Sequence, residues 1–208
     1  MKAFDPKQRH TPSGQITIAF YRIAQAIEYA FRMRGKQVHL SPAQMQALLF
    51  LKNARAEAHT IGGLARRLGV TDATSSGVAD ALEHKRLVKR APLPEDQRVV
   101  MLRLTPEGEH RAEELEGVLD EIERVIDTLP DAEKTALLHA TQAIVRRLQS
   151  AGYVRVYEMC WGCQFFRRNA HRDDPRGPHH CAFMDAPLPE ADTYRECPDF
   201  VPAQAERG

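Results

Sequence analysis

Apolar residues recur at helical spacing in the first third of the chain. Over residues 15–34 they form one stripe: Ile16, Phe20, Ile23, Ile27, Ala30 and Phe31. The run Ser41-Pro42-Ala43-Gln44 then places an N-cap serine, a first-turn proline and a glutamine three residues after the serine, as at a capped helix start. The pattern therefore predicts a long first helix and a second helix that continues through Leu51.

Two shorter helices and a pair of strands are predicted next. Thr60 caps the segment TIGGLARRLGV, and Thr71 caps the segment TDATSSGVADALEHK. A helix, a short break containing glycine and a second helix form the helix-turn-helix pattern. Residues 87–90 and 98–104 have strand character, and the turn PLPEDQ between them predicts a hairpin. Together these elements predict a winged helix-turn-helix.

Two amphipathic helices with long apolar stripes are predicted over residues 106–128 and 131–149. Thr105 caps the first of them, and the Leu129-Pro130-Asp131 break separates the two, with Asp131 capping the second. Two long apolar stripes that follow a small domain need a partner surface, and a second copy of the chain supplies one. We therefore expect a homodimer. The stripes consist of Leu115, Val118, Leu119, Ile122, Val125, Ile126, Leu137, Leu138, Ala140, Ile144 and Leu148.

The composition changes near residue 150, where aliphatic residues become rare and Pro, Asp, His and Cys become frequent. We therefore divide the chain into residues 1–150, a winged helix DNA-binding and dimerisation domain, and residues 151–208, a cysteine-rich metal-binding tail. The predicted fold is mainly α, with a small β-hairpin wing, a helical dimerisation region and a metal-stapled tail.

The net charge of +1 conceals a segregation of charge along the chain. Residues 1–59 carry +6, residues 60–105 carry +3, residues 106–150 carry −6 and the remainder carries −2. A basic front favours a polyanionic partner, although a patchwork of solvated faces would give the same totals. The N-terminal residues contain no apolar signal segment and no run is long enough to span a membrane, so we expect a cytoplasmic protein without a membrane partner.

The predicted second helix of the helix-turn-helix begins with short polar side chains, which suit base edges in the major groove of double-stranded DNA. Basic residues after it are placed to meet phosphates. Arg98 is the wing cation for a minor groove, and Asp96 is placed to orient it. The predicted DNA-binding residues are Thr71, Asp72, Thr74, Ser75, Ser76, Gly77, Lys85, Lys89, Arg90, Asp96 and Arg98.

These motifs resemble the MarR family of winged helix-turn-helix regulators. The resemblance covers about residues 15–150 and is most specific at Asp96-x-Arg98 and at Leu104-Thr105-Pro106-Glu107-Gly108. It implies a DNA-binding regulator that dimerises through its first and last two helices and carries its wing arginine at Arg98. The chain departs from the family pattern at Ser75 (usually apolar), Gly77 (often a longer polar residue) and Arg86 (commonly glycine).

All four cysteines lie in the tail, with the spacing C-x2-C-x17-C-x15-C. In a reducing compartment this arrangement favours a metal site formed by Cys160, Cys163, Cys181 and Cys197 over disulfides, redox-exchange thiols or inert thiols. A tail of this size and polarity also needs a staple to fold. His179 and His180 are alternative ligands for which we expect supporting or surface roles, and we expect His171 to be solvated.

The identity of the metal centre is less constrained than its ligands. Structural zinc favours two tight cysteine pairs, whereas this tail has one pair and two single cysteines, the last followed by proline. The run CWGCQFF, with the later HHCAFMDAPL and ECPDF, resembles the cluster-binding part of high-potential iron–sulfur proteins, apart from the residue after the last cysteine. That resemblance implies a 4Fe–4S cluster, with zinc as the alternative. Trp161, Phe165, Phe166, Phe183 and Phe200 would form the apolar shell.

The sequence thus predicts a transcriptional regulator, most simply a repressor, whose DNA affinity is coupled to an iron–sulfur centre that senses redox state or iron. One alternative is a regulator that responds to a small organic effector and carries a structural zinc site. The other is an enzyme that uses the fold for electron transfer. No nucleophile–base pair, phosphate loop or paired acids support the enzyme, so we expect no catalytic activity.

Replacing Arg98 by alanine should weaken DNA binding while the dimer stays intact. One lost phosphate or groove contact should also reduce the slope of log affinity against log salt by about one. Fluorescence anisotropy with a duplex selected by the protein from a random-sequence library measures both effects. Affinity that matches the unmodified protein at every salt concentration would remove Arg98 from the interface.

Overall fold

The computed structural model describes residues 4–6, 10–92, 100–153, 160–195, 197, 199–201 and 203. Its architecture is mainly helical, with two small antiparallel sheets. The helices are α1 (Pro12–Val38), α2 (Pro42–Asn53), α3 (Ile61–Leu68), α4 (Asp72–His84), α5 (Pro106–Leu115), α6 (Asp120–Asp127) and α7 (Asp131–Ser150). The strands are β1 (Val88–Pro92), β2 (Val100–Leu104), β3 (Phe166–Arg167), β4 (His179–Cys181) and β5 (Ala186–Leu188). Short 3₁₀ turns lie at Ala56–Ala58, Glu116–Leu119, Cys160–Gly162 and Ala191–Tyr194.

The helix starts predicted from Ser41, Thr60 and Thr71 are confirmed, whereas Asp131, predicted as a cap, is the first residue of α7. The Ser41 hydroxyl accepts from the backbone N–H of Gln44, whose side chain accepts from the Ser41 backbone N–H, which completes a capping box. Thr60 and Thr71 each accept a backbone N–H from three residues further on. Gly69 ends α3 in the left-handed conformation. The helix-turn-helix is therefore formed by α3 and α4.

The wing is an antiparallel hairpin, as predicted, and a short third segment extends it. In the hairpin β1 pairs with β2, with Val88 opposite Leu104. Thr60 bridges Met101 on the other side of β2, and the Leu102 N–H donates to the His59 carbonyl over 2.6 Å. The segment that begins α3 is thus bonded directly to the wing.

A close approach of α5 to the end of α4 explains the Leu-Thr-Pro-Glu-Gly motif. The Thr105 hydroxyl accepts from the Gly108 N–H over 3.0 Å and donates to the Arg86 carbonyl over 2.7 Å. A Cβ atom at Gly108 would lie only 1.9 Å from the Leu87 carbonyl oxygen. Glycine is therefore required where α5 passes over Leu87. Arg86 itself has a φ of 59°, the left-handed conformation that glycine adopts at lower cost.

The hydrophobic core lies between α2, α4, α5 and the wing. Its largest fully buried apolar side chains are Met45, Leu48, Leu64, Leu82, Leu102 and Leu115. Helix α1 packs on α2 near its C-terminal end, where Phe31 is buried.

The single helix predicted over residues 106–128 is interrupted, so that prediction is wrong in detail. The 3₁₀ turn Glu116–Leu119 separates α5 from α6, and the Asp120 N–H donates to the Gly117 carbonyl. Gly117 has low helix propensity, which favours a tightened turn at this position.

The outer helices present large apolar side chains to solvent. None of the described side chains of α6, or of residues 131–148 in α7, is buried. The exposed apolar residues of α1, the Glu116–Leu119 turn, α6 and α7 are Ile16, Tyr21, Ile23, Tyr29, Met33, Leu119, Val125, Ile126, Leu137, Leu138, Ile144 and Leu148. Exposed large apolar side chains in this number are typical of an interface. Within the described parts of the chain, no helix is both long enough and apolar enough to cross a membrane.

Replacing Gly108 by alanine should lower the free energy of unfolding by about 1–3 kcal/mol, because the new methyl group overlaps the Leu87 carbonyl. Gly77 lies in the exposed middle of α4, where an added methyl group would meet no described atom within 4 Å outside the backbone of its own helix. Its replacement by alanine should raise the same free energy by roughly 0.5–1 kcal/mol. Urea unfolding of both variants at one protein concentration tests whether the two changes in the free energy of unfolding have opposite signs. Equal effects would refute the close approach at Gly108.

Candidate DNA interface and cysteine site

Helix α4 presents the short polar residues expected of a recognition helix at its N-terminal end. Thr71, Asp72, Thr74 and Gly77 are exposed, and Ser76 is half-buried. The Thr71 hydroxyl caps the helix by accepting the Thr74 N–H over 3.2 Å, so its role includes holding the helix end. This surface has the size and polarity needed to meet base edges in a major groove.

Ser75 does not belong to that surface, which corrects its placement among the DNA-contacting residues. Its side chain is fully buried, and its hydroxyl donates to the Ile61 carbonyl over 3.0 Å. The inward face of α4 is therefore Ser75, Ala79 and Leu82, whereas Ala73 is exposed. Ser75 holds α4 against the first turn of α3 and so fixes the angle of the helix-turn-helix.

The predicted phosphate-contacting residues differ in how they are held. Lys89 is exposed, and the Lys85 ammonium donates to the His39 carbonyl. The Arg90 guanidinium donates to Asp80 over 2.6 Å and to Glu83 over 2.7 Å. Arg90 therefore ties β1 to α4, and its contact with DNA stays a prediction.

The wing residues Asp96 and Arg98 lie outside the described residues. Their predicted roles in the minor groove are therefore not illustrated by the structure, and both roles stay predictions.

The four cysteines, which span 38 positions of the sequence, line one cavity. Cys160, Cys163, Cys181 and Cys197 all border this cavity. Cys160 and Cys197 are buried, and the other two are half-buried. All four are free thiols. The structure thus brings together the complete set of predicted metal ligands.

Short backbone elements bring the four sulfurs to this cavity. The 3₁₀ turn Cys160–Gly162 lets the Cys163 N–H donate to the Cys160 carbonyl over 2.9 Å. Cys181 ends β4 and pairs with Phe166 of β3. The C-terminal segment carrying Cys197 returns to the first pair, because the Gln164 N–H donates to the Val201 carbonyl over 2.8 Å.

The cavity wall between the cysteines is mostly apolar. The remaining lining residues are Arg55, Phe165, Phe166, Phe183, Leu188, Asp199 and Phe200. Four of the five aromatic residues expected in the shell are therefore present. Trp161 is not among the lining residues, which corrects that prediction: its ring packs on Phe166, with centroids 5.0 Å apart, and its N–H donates to Thr193.

The histidines of the tail support its shape. His179 is buried, its Nδ1 accepts the Asn169 N–H over 3.1 Å, and its Nε2 lies 2.6 Å from a Glu190 carboxylate oxygen. Both ring nitrogens are thus engaged. His180 Nδ1 lies 2.9 Å from His171 Nε2, so the expectation that His171 is merely solvated is wrong.

Arg55 is a site residue that the sequence analysis missed. It follows α2 by two positions and lies in the winged helix, yet its guanidinium lines the cysteine cavity. Nη2 lies 3.9 Å from Cys160 Sγ, and Nη1 lies 3.6 Å from Met184 Sδ. No local pattern marks a lone arginine in a connecting segment, so its role depends on tertiary structure.

Burial determines the acid–base behaviour of the two inner thiols. It raises the pKa of Cys160 from 9.0 to about 11, although Arg55 acts in the opposite direction. Burial likewise raises the pKa of Cys197, opposed by the Asp199 N–H and by Arg55. Such thiols are poor nucleophiles at neutral pH, which disfavours a redox-exchange role for them in the absence of a metal.

Zinc and a 4Fe–4S cluster require different arrangements of the four thiols. Among the residues that the structure describes, no group of three or more His, Cys, Asp or Glu side chains is placed to hold a single metal ion. Tetrahedral zinc would draw four sulfurs to within about 3.8 Å of one another. A 4Fe–4S cluster also takes four thiolates but holds them farther apart, because irons and sulfides lie between them. Four cysteines around a mostly apolar cavity fit the cluster in the number and chemistry of the ligands.

The helical part of the chain is similar to known proteins. Residues 40–99 match a sequence model of the MarR family. The HTH-type transcriptional repressor YetL of Bacillus subtilis is 30% identical over 128 residues, which are 61% of this chain and 74% of YetL.

Solved structures agree in fold. The structure of S. aureus MepR in complex with DNA has 22% identity and a TM-score of 0.56, and it covers 64% of this chain and 97% of its own. CouR from Rhodococcus jostii RHA1, bound to p-coumaroyl-CoA, has 22% identity and a TM-score of 0.55, and it covers 65% of this chain and 94% of its own. Nearly all of each neighbour is matched by about two thirds of this chain, so the rest of this chain has almost no counterpart in them.

In the metal-free protein Cys160 should react with iodoacetamide about 100-fold more slowly at pH 8 than a thiol of pKa 9, because the thiolate is the reactive form and its fraction falls tenfold for each unit of raised pKa. The rate should increase with pH until about pH 11. Mass spectrometry of the labelled peptide measures it, with urea-unfolded protein as the control. Equal rates in the folded and unfolded protein would show that this thiol is not buried.

Proposed function

Because the chain belongs to the MarR family of winged helix-turn-helix transcriptional regulators, we propose that it is a repressor whose affinity for double-stranded DNA is coupled to a centre held by the four tail cysteines. MarR-family proteins are DNA-binding regulators and not enzymes, which argues against the hypothesis of an electron-transfer enzyme. The observation that carries the coupling is the cavity itself, which is lined by Cys160, Cys163, Cys181 and Cys197 together with Arg55 of the winged helix.

The DNA-binding part of the proposal uses α4 as the recognition helix. In this proposal its exposed N-terminal residues enter the major groove, and the basic residues that follow α4 contact phosphates. The name of YetL supports repression, and the MepR complex supports DNA as the ligand of this fold.

A homodimer is part of the same proposal. The apolar surfaces of α1, α6 and α7 have little to pack on within one protomer, and a second copy would cover them. A dimer also places two copies of α4 for two half-sites, so the separation of the two recognition helices becomes the quantity that regulation can change.

We propose an iron–sulfur cluster, most simply 4Fe–4S, as the centre. The support is the mostly apolar cavity and the four-thiol donor set that lines it. Such a cluster, when bound, supplies sensitivity to redox state and iron supply. The four cysteine sulfurs of the chain would hold it, and the half-buried rings of Phe165 and Phe166 would limit the access of water.

A regulator that responds to a small organic molecule, with zinc in the tail, is the second candidate. CouR was crystallised with p-coumaroyl-CoA, which supports an organic effector for this fold. The two candidates predict different centres in the same cavity, so analysis of the bound metal separates them.

Anaerobically purified protein should contain iron and acid-labile sulfide and absorb near 400 nm. Replacing any one of Cys160, Cys163, Cys181 or Cys197 by serine should remove most of the metal, because a serine oxygen is a poor ligand for soft metals. The helical content should persist, since the core lies in the winged helix.

The His180→Ala variant is the matched control, because that side chain contacts His171 and does not line the cavity. It should retain full metal content. Zinc without sulfide would support the second candidate, and full occupancy in the Cys197→Ser protein would contradict the four-thiol site.

A further inference from the structure

Arg55 is placed where the tail meets the winged helix. Among the described residues that line the cavity, it alone comes from the part of the chain before the tail. It is half-buried and lies between the last residue of α2, Asn53, and the 3₁₀ turn Ala56–Ala58. Its guanidinium reaches two parts of the tail at once, Cys160 Sγ at 3.9 Å and Met184 Sδ at 3.6 Å.

The segment that carries Arg55 is bonded to the wing and to the first helix of the helix-turn-helix. The His59 ring lies 3.2 Å from the Ala54 carbonyl, and the His59 backbone carbonyl accepts the Leu102 N–H of wing strand β2. Thr60 bridges Met101 and caps α3 by accepting the Gly63 N–H over 3.0 Å. A displacement of Arg55 would therefore reach the wing and the first helix of the helix-turn-helix through four or five residues of bonded backbone.

Arg55 is also a charged residue whose electrostatic interactions would change when the cysteine site is occupied. The charged side chains among the described lining residues are Arg55 and Asp199. Four neutral thiols have no net charge, whereas four thiolates around either zinc or an oxidised 4Fe–4S cluster have a net charge of about −2. Because the effective dielectric constant near a half-buried site is lower than that of water, this difference acts strongly on a guanidinium at contact distance.

Resting on the proposed function, we propose that Arg55 is the positioning residue that couples occupancy of the cysteine site to DNA binding. An occupied, anionic site holds the guanidinium against Cys160 and Met184, and thereby sets the position of residues 55–60 under the wing. An empty, neutral site binds the guanidinium less strongly, and the constraint on the wing and α3 weakens. Arg55 thus contacts a predicted ligand, Cys160, from the winged helix and links that domain to the tail.

The test compares Arg55→Gln, which removes the charge, with Arg55→Lys, which keeps it. Arg111→Gln is the matched control, because Arg111 pairs with Glu107 and Glu114 on α5, and it does not line the cavity. For each protein, metal content is measured, and DNA affinity is then determined by anisotropy for the metal-loaded and the chelator-treated forms. The probe is a duplex selected by the unmodified protein.

The unmodified protein and Arg111→Gln should show a loaded-to-empty affinity ratio of about 5–150-fold. In Arg55→Gln the ratio should fall to within about twofold although the four cysteines still bind metal, and Arg55→Lys should recover most of it. A merely structural role for Arg55 would lower affinity in both forms and leave their ratio unchanged.

Full metal content with an unchanged ratio in Arg55→Gln would overturn the role of Arg55 and leave the proposed function standing. If the loaded-to-empty affinity ratio of Arg55→Lys fell as far as that of Arg55→Gln, the proposed role of Arg55 would also be overturned, because its charge would then not be the cause of the coupling. An unmodified protein that binds no metal would overturn the proposed function and the role of Arg55 with it.

Discussion

The tail has almost no apolar core, and both its folding and its proposed function depend on this constraint. Among its described residues, the buried apolar side chains are Cys160, Leu188 and Cys197, so two of the three are thiols of the candidate site. A segment of this size cannot bury enough apolar surface to offset the entropy lost on folding, and such segments are commonly held by metals or disulfides. Because the four thiols are unpaired and line one cavity, we propose a bound centre as the staple of the tail.

Polar contacts complement that staple by shaping the cavity walls. His179 is bonded through one ring nitrogen to the Asn169 N–H and through the other to Glu190, which holds β4 and therefore the neighbouring Cys181. Trp161 donates to Thr193, whose hydroxyl donates to the Glu190 carbonyl. These contacts join the turn after Cys160 to the segment before Cys197. The buried polar groups are thus satisfied, as a folded domain requires.

The parts of the fold that were predicted from sequence are those whose signals are local. A cap needs one hydroxyl and a backbone N–H three residues away, so Ser41, Thr60, Thr71 and Thr105 marked their helices correctly. The cysteine spacing likewise identified four residues that the fold brings to one cavity. The Gly108 position was recognised as a motif, and the structure adds its physical reason, the contact with Leu87.

Features that depend on tertiary packing were missed. Ser75 resembles its polar neighbours in sequence, and only the packing of α4 on α3 shows that it is buried. The strands β3, β4 and β5 have two or three residues each, too few for an alternating pattern to be visible. Arg55 has no motif at all, since its partner Cys160 is 105 positions away.

The central claim is that the cysteine site and the DNA interface are coupled, and coupling between two binding equilibria is reciprocal. The most direct measurement is therefore the equilibrium retention of metal by the unmodified protein against increasing chelator, with and without a saturating amount of its selected duplex. The account predicts that DNA shifts the chelator concentration for half loss by at least about fivefold. Superimposable curves would show that the two sites are independent and would contradict the account.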